Sequence, residues 1–380
     1  MTDDAASSVA PVEHQLVTCP HCNTEVPVGA FCGNCGAHFA TADTTRQRSY
    51  AGAPGEHVLH SSVITTLFPH LPRRQAHAFR FAFGIAVAVV FILAAVRWLA
   101  PATLVSVLVL PVLYLLYLYE SEVYEDEPLL VLGVTFFVAG ALGFVYVLIA
   151  DQLSTPSFGG TQEGPLVSGV LLPVIAQILM VAGPLVLLTR SKFDETLDGL
   201  TFGVTAGLGF TMVAVITAAW HIFTAPLQQG VDTYDIIRVL QSGVLAAIVN
   251  AGTTGLIAAA TWLHVHRPPN RVSAARWLSL PLVVAVGFGV QIVLGIAGYY
   301  IPTILGLLVL WLVAAALLLV AVRVVLHFGL MEEAVESEMG PLSACSECSH
   351  VVPLMAFCPN CGASRLAMPK HTRHQHREVA

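Results

Sequence analysis

The chain has 380 residues and a formal net charge of −7, and only 11% of its residues are charged while 56% are apolar. A soluble globular chain carries about 25% charged residues, so this composition excludes a disordered chain, a secreted disulfide mini-domain and a nucleic-acid-binding protein with a basic surface. We therefore expect an all-α polytopic membrane protein, in agreement with a mean hydropathy of +0.75.

Changes in composition along the chain predict seven segments. A disordered polar tail and a first cysteine-containing module precede a linker rich in Thr, Ala, Gly and Arg, and a long apolar domain follows. An acidic linker, a second cysteine-containing module and a basic tail with histidines complete the chain. No cleavable signal peptide is expected, because the first 20 residues lack an apolar core. The predicted bounds are 1–17, 18–40, 41–78, 79–328, 329–342, 343–364 and 365–380.

All eight cysteines fall in two modules with the same spacing, Cys-x2-Cys-x9-Cys-x2-Cys. The modules match at eleven of the 19 positions that start at Cys19 and at Cys345, and they resemble small zinc ribbons. Two residues between paired cysteines let both thiolates face one ion, and Gly36 and Gly362 allow the positive φ that such turns need. Four thiolates predict a closed, structural zinc site in each module, with disulfide-bonded loops as the alternative in an oxidising compartment. The predicted ligands of the two zinc ions are Cys19, Cys22, Cys32, Cys35, Cys345, Cys348, Cys358 and Cys361.

The apolar domain contains eight stretches with almost no charged residues. Each is close to the length of about 20 residues that a helix needs to cross a membrane. The longest uncharged run is divided into two spans, and the segment 298–302, which contains Gly, Tyr and Pro, is the predicted turn between them. The predicted spans are 79–100, 102–119, 128–150, 165–189, 199–220, 239–263 and the two halves of 277–322.

Lysine and arginine are distributed unevenly around these eight spans. With the N-terminus inside, fifteen of them lie in inner segments, and only Arg97 and Arg238 lie in outer loops. Because cytoplasmic loops carry an excess of basic residues, both ends of the chain are predicted to be cytoplasmic. The chain is accordingly predicted to be a multi-pass protein of the plasma membrane.

Two motifs in the apolar domain carry a resemblance to a known family. The first is an acidic Glu-Asp-Glu-Pro turn at 125–128, and the second is an Asp-Gly pair followed by glycines and a Gly-Phe pair over 198–210. The stretch of about 113–291 resembles the PrsW family of intramembrane proteases. That resemblance implies an all-helical polytopic fold and cleavage of membrane-anchored regulators such as anti-sigma factors. The glycines also predict a helix face of small residues that a second membrane helix can approach closely, and they are Gly199, Gly203, Gly207 and Gly209.

The residues that carry the family's chemistry are replaced here. The matching positions are Pro173, Val174 and Gln177 for a Glu-Glu-x-x-Lys motif, Ala214 for a later glutamate, Asn250 for a histidine, and Gly287 and Gln291 for a loosely aligned His-x-x-x-Asp-like pair. Hydrolysis needs a water activated by a metal or a general base, and the predicted spans contain no Asp, Glu, Lys, Arg or His at mid-depth. No catalytic residue is assigned, and a non-catalytic pseudoprotease is favoured.

Five neutral polar residues remain at mid-depth in the predicted spans. Polar side chains are costly there unless they pair across helices. They therefore predict either a polar cavity that binds an uncharged group or hydrogen bonds that hold the helices together. These residues are Gln177, Asn250, Thr253, Thr254 and Gln291.

The leading functional hypothesis is a PrsW-like membrane protein that binds a membrane segment in its core and cytoplasmic proteins through its zinc ribbons. The lipid bilayer is a further partner, and no nucleic acid is expected. One alternative is an active intramembrane metalloprotease with displaced catalytic groups, and a second is a transporter or channel. The candidate groups of a displaced site are Glu120, Glu122, Glu125, Glu127 and the histidines at the ends of spans, His221, His264 and His266.

Overall fold

The structure is a computed structural model, and it contains mostly helices with a small β-hairpin near each end of the chain. Every structural statement concerns the residues that it describes. These are 15–20, 23–39, 78–96, 98–121, 129–154, 164–190, 193, 195–224, 237–266, 279–333, 339–345 and 347–363.

Each cysteine module is built on one antiparallel hairpin. Strands β1 (Leu16–Thr18) and β2 (Glu25–Pro27) form the first, and β3 (Leu342–Ala344) and β4 (Val351–Pro353) form the second. Both hairpins begin one or two residues before the predicted module bounds, so part of the predicted tail is a strand. The reason is that the residues before each first cysteine pair with the strand that follows the cysteine-containing turn.

The described residues of the apolar domain form eight long helices and one short one. Two of the long helices contain a π-helical turn near their start, at Val167–Leu171 and at Leu240–Leu245. The helices are α1 (Ala78–Ala95), α2 (Leu99–Ser121), α3 (Leu129–Ser154), α4 (Leu172–Leu187), α5 (Thr196–Ala218), α6 (Trp220–Thr224), α7 (Ala246–Val265), α8 (Leu280–Tyr300) and α9 (Ile304–Glu333).

Six of the described helices are long and apolar enough to cross a membrane, judged by length and composition, so the protein is membrane-embedded. The two helices that precede them are also apolar, and in α2 the apolar part covers Ala100–Tyr114. The six spans are Leu130–Leu153, Val167–Leu187, Thr196–Ala218, Ile237–Val265, Leu280–Tyr300 and Ile304–Leu326.

The ends of the last two helices differ from the sequence-based expectation. The predicted turn at 298–302 is shorter, because α8 continues to Tyr300 and α9 begins at Ile304. The predicted acidic linker begins too early, because α9 continues to Glu333. An uninterrupted helix satisfies its backbone hydrogen bonds internally, which favours its continuation close to the membrane.

Helices α5 and α7 form the centre of the domain. In their most apolar windows, 67% of α5 and 78% of α7 is buried, whereas no other span exceeds 28%. Three glycines of α5 explain this close packing. A Cβ on Gly203 would lie 2.7 Å from the Cα of Gly255, and a Cβ on Gly207 would lie 2.6 Å from the Cα of Ala251. The third, Gly199, lies against Trp262 in the same way.

Gly209 does not share this face, which corrects the sequence-based grouping of four glycines. It lies against the backbone of Phe136 in α3, and Gly143 of α3 lies against the backbone of Phe210 in return. Gly207 and Gly209 are two residues apart, and two residues turn a helix by about 200°. The glycines of α5 therefore serve two opposite contacts, one with α7 and one with α3.

Candidate functional site

The C-terminal module brings four cysteine side chains together. Their Sγ atoms lie within 4.8 Å of one another, and the Sγ–Sγ distance is 3.8 Å both for Cys345–Cys361 and for Cys348–Cys358. Tetrahedral zinc with Zn–S bonds of about 2.3 Å separates its sulfurs by about 3.8 Å. The donor set and its dimensions therefore fit a four-thiolate metal site.

The N-terminal module brings together three of its four cysteines. Cys19, Cys32 and Cys35 lie within the same 4.8 Å limit, and the Sγ atoms of Cys19 and Cys35 are 3.7 Å apart. The fourth predicted ligand, Cys22, lies outside the described residues. All seven described cysteines are free thiols, so the described part of the chain contains no disulfide.

The backbone of both modules is shaped for these clusters. Gly36 and Gly362 each have a φ of 69°, as their position after the last cysteine predicts. Asn23 and Ser349 adopt positive φ at equivalent positions of the other turn, with values of 56° and 60°. The repeat therefore extends to backbone conformation, and sequence spacing alone did not indicate these two residues.

Hydrogen bonds favour the thiolate form of one cysteine at the C-terminal site. Side-chain hydrogen bonds from Cys345 and Cys361 lower the pKa of Cys358 to about 4, whereas hydrogen bonding with Cys345 and Cys358 raises the pKa of Cys361. Asn360 Nδ2 donates to Cys348 Sγ at 3.5 Å. Thiolate is the form of cysteine that binds metals. A metal ion at this site would be held by the four sulfurs and would have no open position for a substrate.

The membrane domain contains a second candidate site, where polar side chains meet between helices. Gln177 of α4 is fully buried, and its Oε1 accepts hydrogen bonds from Thr253 at 3.0 Å and from Gln291 at 3.2 Å. Its Nε2 donates to Thr254 Oγ1 at 3.2 Å. One side chain therefore joins α4 to both α7 and α8.

Asn250 extends this network to α5. Its Oδ1 accepts a hydrogen bond from Gln291 Nε2 at 2.8 Å, and its Nδ2 donates to Thr211 Oγ1 at 2.8 Å. All five mid-depth polar residues selected from the sequence belong to one network, and Thr211 is a member that sequence reasoning missed. The Thr211 hydroxyl also donates a hydrogen bond to the backbone carbonyl of Gly207 at 2.7 Å. Because this bond lies within one helix, the sequence gives no sign that Thr211 also bonds to a neighbouring helix.

A partly open cavity of about 280 Å³ lies beside this network. Asn250 and Gln291 line it, whereas Gln177, Thr253 and Thr254 lie behind them. The other polar lining residues are Tyr146, Thr211, Ser242 and Trp311, and the remaining lining is apolar. Among the described lining residues there is no Asp, Glu, Lys, Arg or His, so this surface favours uncharged groups.

Two further sequence-based predictions concern acidic groups. Glu122, Glu125 and Glu127 lie outside the described residues, and Glu120 lies in the last turn of α2 without a described side chain. Asp198, from the Asp-Gly pair, has a structural contact: its Oδ2 accepts a hydrogen bond from the backbone N–H of Glu195 at 3.2 Å and completes a capping box. That contact orients the start of α5.

A comparison with protein-family models found no match. Comparisons with curated proteins and with solved structures found no match either.

Proposed function

We propose that this chain is a non-catalytic, PrsW-like membrane protein that binds an uncharged polar group of a membrane segment in its cavity. One observation carries the proposal. Positions that the resemblance assigns to catalytic groups come from four helices, yet Pro173, Ala214, Asn250 and Gln291 all line the same cavity, with Gln177 hydrogen-bonded to Gln291. This convergence supports a shared site, and the neutral side chains support binding rather than hydrolysis.

A single-span membrane segment with a central Asn or Ser is the proposed occupant. The cavity is partly open and mainly apolar, so it can accept apolar side chains. Asn250 and Gln291 are hydrogen-bonded to each other, and each amide can form a further hydrogen bond with an uncharged group. An ionised group would find no opposite charge among the described lining residues and would be expensive to desolvate.

Photocrosslinking tests the site in reconstituted full-length protein. With p-benzoylphenylalanine at the lining residue Val215, we expect crosslinks to a synthetic single-span peptide that has a central Asn, and weaker ones to its all-Leu analogue. Filling the cavity by Ala214→Phe should reduce crosslinking by roughly fivefold or more. Leu282→Phe on an exposed helix surface is the matched control and should have no effect.

Cleavage is followed in the same reactions by mass spectrometry, and intact peptide is expected. Cleaved peptide that disappears on substitution of Glu120, Glu122, Glu125 or Glu127 would contradict the non-catalytic assignment and favour the displaced-site protease. Equal crosslinking of both peptides would contradict recognition of the polar group.

Zinc is the proposed metal of both ribbons, because four thiolates in tetrahedral arrangement are typical of structural zinc. Metal analysis of purified protein should give about two zinc ions per chain, one for each four-cysteine set. Cys358→Ser should reduce the content to one ion or fewer, and Val351→Ala on an exposed strand should leave it unchanged. Iron or copper in place of zinc would contradict the assignment.

Eight spans with both ends in the cytoplasm are also proposed. Hydrogen bonds between the two ribbons, Phe31 N–H to Pro359 C=O at 2.9 Å and Phe357 N–H to Gly33 C=O at 2.8 Å, support an even number of crossings. Both ends must lie on one side of the membrane for these bonds to form. The excess of basic residues in the inner segments supports the cytoplasmic side.

Labelling of introduced cysteines tests this topology in intact cells. Val28→Cys lies on an exposed part of the first ribbon, and Tyr300→Cys lies at the exposed end of α8. A membrane-impermeant maleimide should label Tyr300→Cys directly and Val28→Cys only after permeabilisation. Labelling of Val28→Cys in intact cells would reverse the proposed orientation.

A further inference from the structure

The two ribbons contact each other through an interface with approximate two-fold symmetry. The modules are offset by 326 residues, the distance from Cys19 to Cys345, so Phe31 corresponds to Phe357 and Gly33 to Pro359. The two hydrogen bonds between the ribbons, Phe31 to Pro359 and Phe357 to Gly33, exchange with each other under this correspondence. The ribbons therefore pair as two copies of one module.

The side chains that meet at this interface differ in size between the two ribbons. Gly33 lies against Met355, and a Cβ on Gly33 would overlap the Met355 sulfur. Gly29 lies against Pro359, and a Cβ on Gly29 would lie 2.5 Å from the Pro359 carbonyl oxygen. Gly29 corresponds to Met355 in the repeat. The N-terminal ribbon therefore supplies both glycines, and the C-terminal ribbon supplies both larger residues.

The same contacts join the two metal sites. Met355 is 5% exposed and packs in the apolar cluster of the N-terminal ribbon with Cys19, Val26 and Cys32. The ring of Phe31 covers Gly362, the residue after the ligand Cys361. Each ribbon therefore contributes a side chain beside the other ribbon's cysteines, Met355 at the N-terminal cluster and Phe31 at the C-terminal cluster.

We propose that the two ribbons are a matched pair that bind each other selectively and couple their metal sites. Pairing of two N-terminal ribbons would place glycine opposite glycine and leave a void, whereas pairing of two C-terminal ribbons would place Met355 against Pro359 and cause overlap. Pairing of two identical ribbons is therefore disfavoured in both cases. Voids and clashes of this kind are one way in which protein interfaces exclude wrong partners. The pairing is independent of the function proposed for the membrane cavity, and the coupling rests on metal occupancy.

Exchanging the glycine and the methionine that face each other across the interface tests the pairing in the full-length, zinc-loaded protein. The probe is p-benzoylphenylalanine at the exposed Val28, beside Gly29, and the readout is crosslinked peptide from the C-terminal ribbon. Gly33→Met should reduce the crosslink about tenfold, because the larger side chain overpacks the interface. The double variant Gly33→Met/Met355→Gly should restore most of it. Val351→Met, on an exposed strand, is the matched control and should leave the crosslink unchanged.

Alkylation of the C-terminal cysteines during exposure to a chelator tests the coupling. Gly33→Met changes no ligand of that site, yet it should raise the alkylation rate about tenfold, and the double variant should reverse the increase. Failure of the double variant to restore the crosslink would overturn selective pairing, and an unchanged alkylation rate in Gly33→Met would overturn coupling. Crosslinks that join isotopically heavy and light chains in a mixed sample would also overturn pairing within one chain.

Discussion

Gly207→Leu is expected to destabilise the membrane domain strongly, because this glycine of α5 lies against the backbone of α7. A Cβ at this position would lie 2.6–2.7 Å from backbone atoms of Ala251 and Asn250. Backbone atoms cannot rotate away as a side chain can, so the two central helices must separate. We expect a loss of about 3 kcal/mol or more, and a fall in the melting temperature of roughly 6–12 °C in detergent.

Other helical glycines supply matched controls for this experiment. An added Cβ at Gly183 of α4 or at Gly289 of α8 would meet nothing within 4 Å. Gly183→Leu and Gly289→Leu should therefore change the melting temperature little, because lipid or detergent can surround the new side chain. Equal losses in all three variants would indicate a general effect of adding a bulky side chain to these helices, and would contradict the approach of α5 to α7 as the cause.

Gln177→Leu is expected to produce the second large effect. The substitution keeps the apolar stem and removes an amide that has hydrogen bonds with Thr253, Thr254 and Gln291. A hydrogen bond between membrane helices contributes about 0.6 kcal/mol on average and up to about 1.7 kcal/mol, so the loss should be about 2 kcal/mol. Thermal unfolding in detergent, followed by tryptophan fluorescence, measures it.

A double-mutant cycle shows whether this loss comes from the network. Thr254→Val alone should cost less than Gln177→Leu, and the cost of the two together should be smaller than their sum, because they share one hydrogen bond. Ile178→Leu, at an exposed position next to Gln177 in α4, is the control and should stay within about 0.5 kcal/mol of the parent protein. Additive losses for Gln177 and Thr254 would contradict the network as the cause.

The parts of the fold that depend on local patterns could be predicted from the sequence. Cysteine spacing indicated the cysteine clusters of both modules, and uncharged stretches indicated the apolar helices. The small residues of α5 indicated a close helix contact, because glycine leaves no side chain between two backbones. Its partner could not be predicted, since α7 presents only one glycine, Gly255, to α5, and its other glycine, Gly252, lies against Leu318 of α9.

The parts that depend on long-range geometry could not be predicted in the same way. The mid-depth polar residues were selected one by one for their cost in lipid, but only the structure gives their pairings, since hydrogen-bond partners lie up to 114 residues apart. Tyr146 and Trp311 line the cavity without any sequence signal, because an aromatic residue in a membrane helix usually packs against lipid or other helices. The contact between the ribbons depends on glycines whose role appears only beside Met355 and Pro359.

The meeting of the two ribbons has a consequence for the order of events during synthesis. The N-terminal ribbon leaves the ribosome first, and its partner follows 326 residues later. At about 5–20 residues per second, translation of the intervening chain takes roughly 15–65 s. During this interval the glycine surface of the first ribbon is uncovered while the membrane helices insert. Closure of the ribbon pair is therefore a late step that requires both ends on the same side, so a chain with one helix left uninserted would keep that surface open to chaperones and proteases.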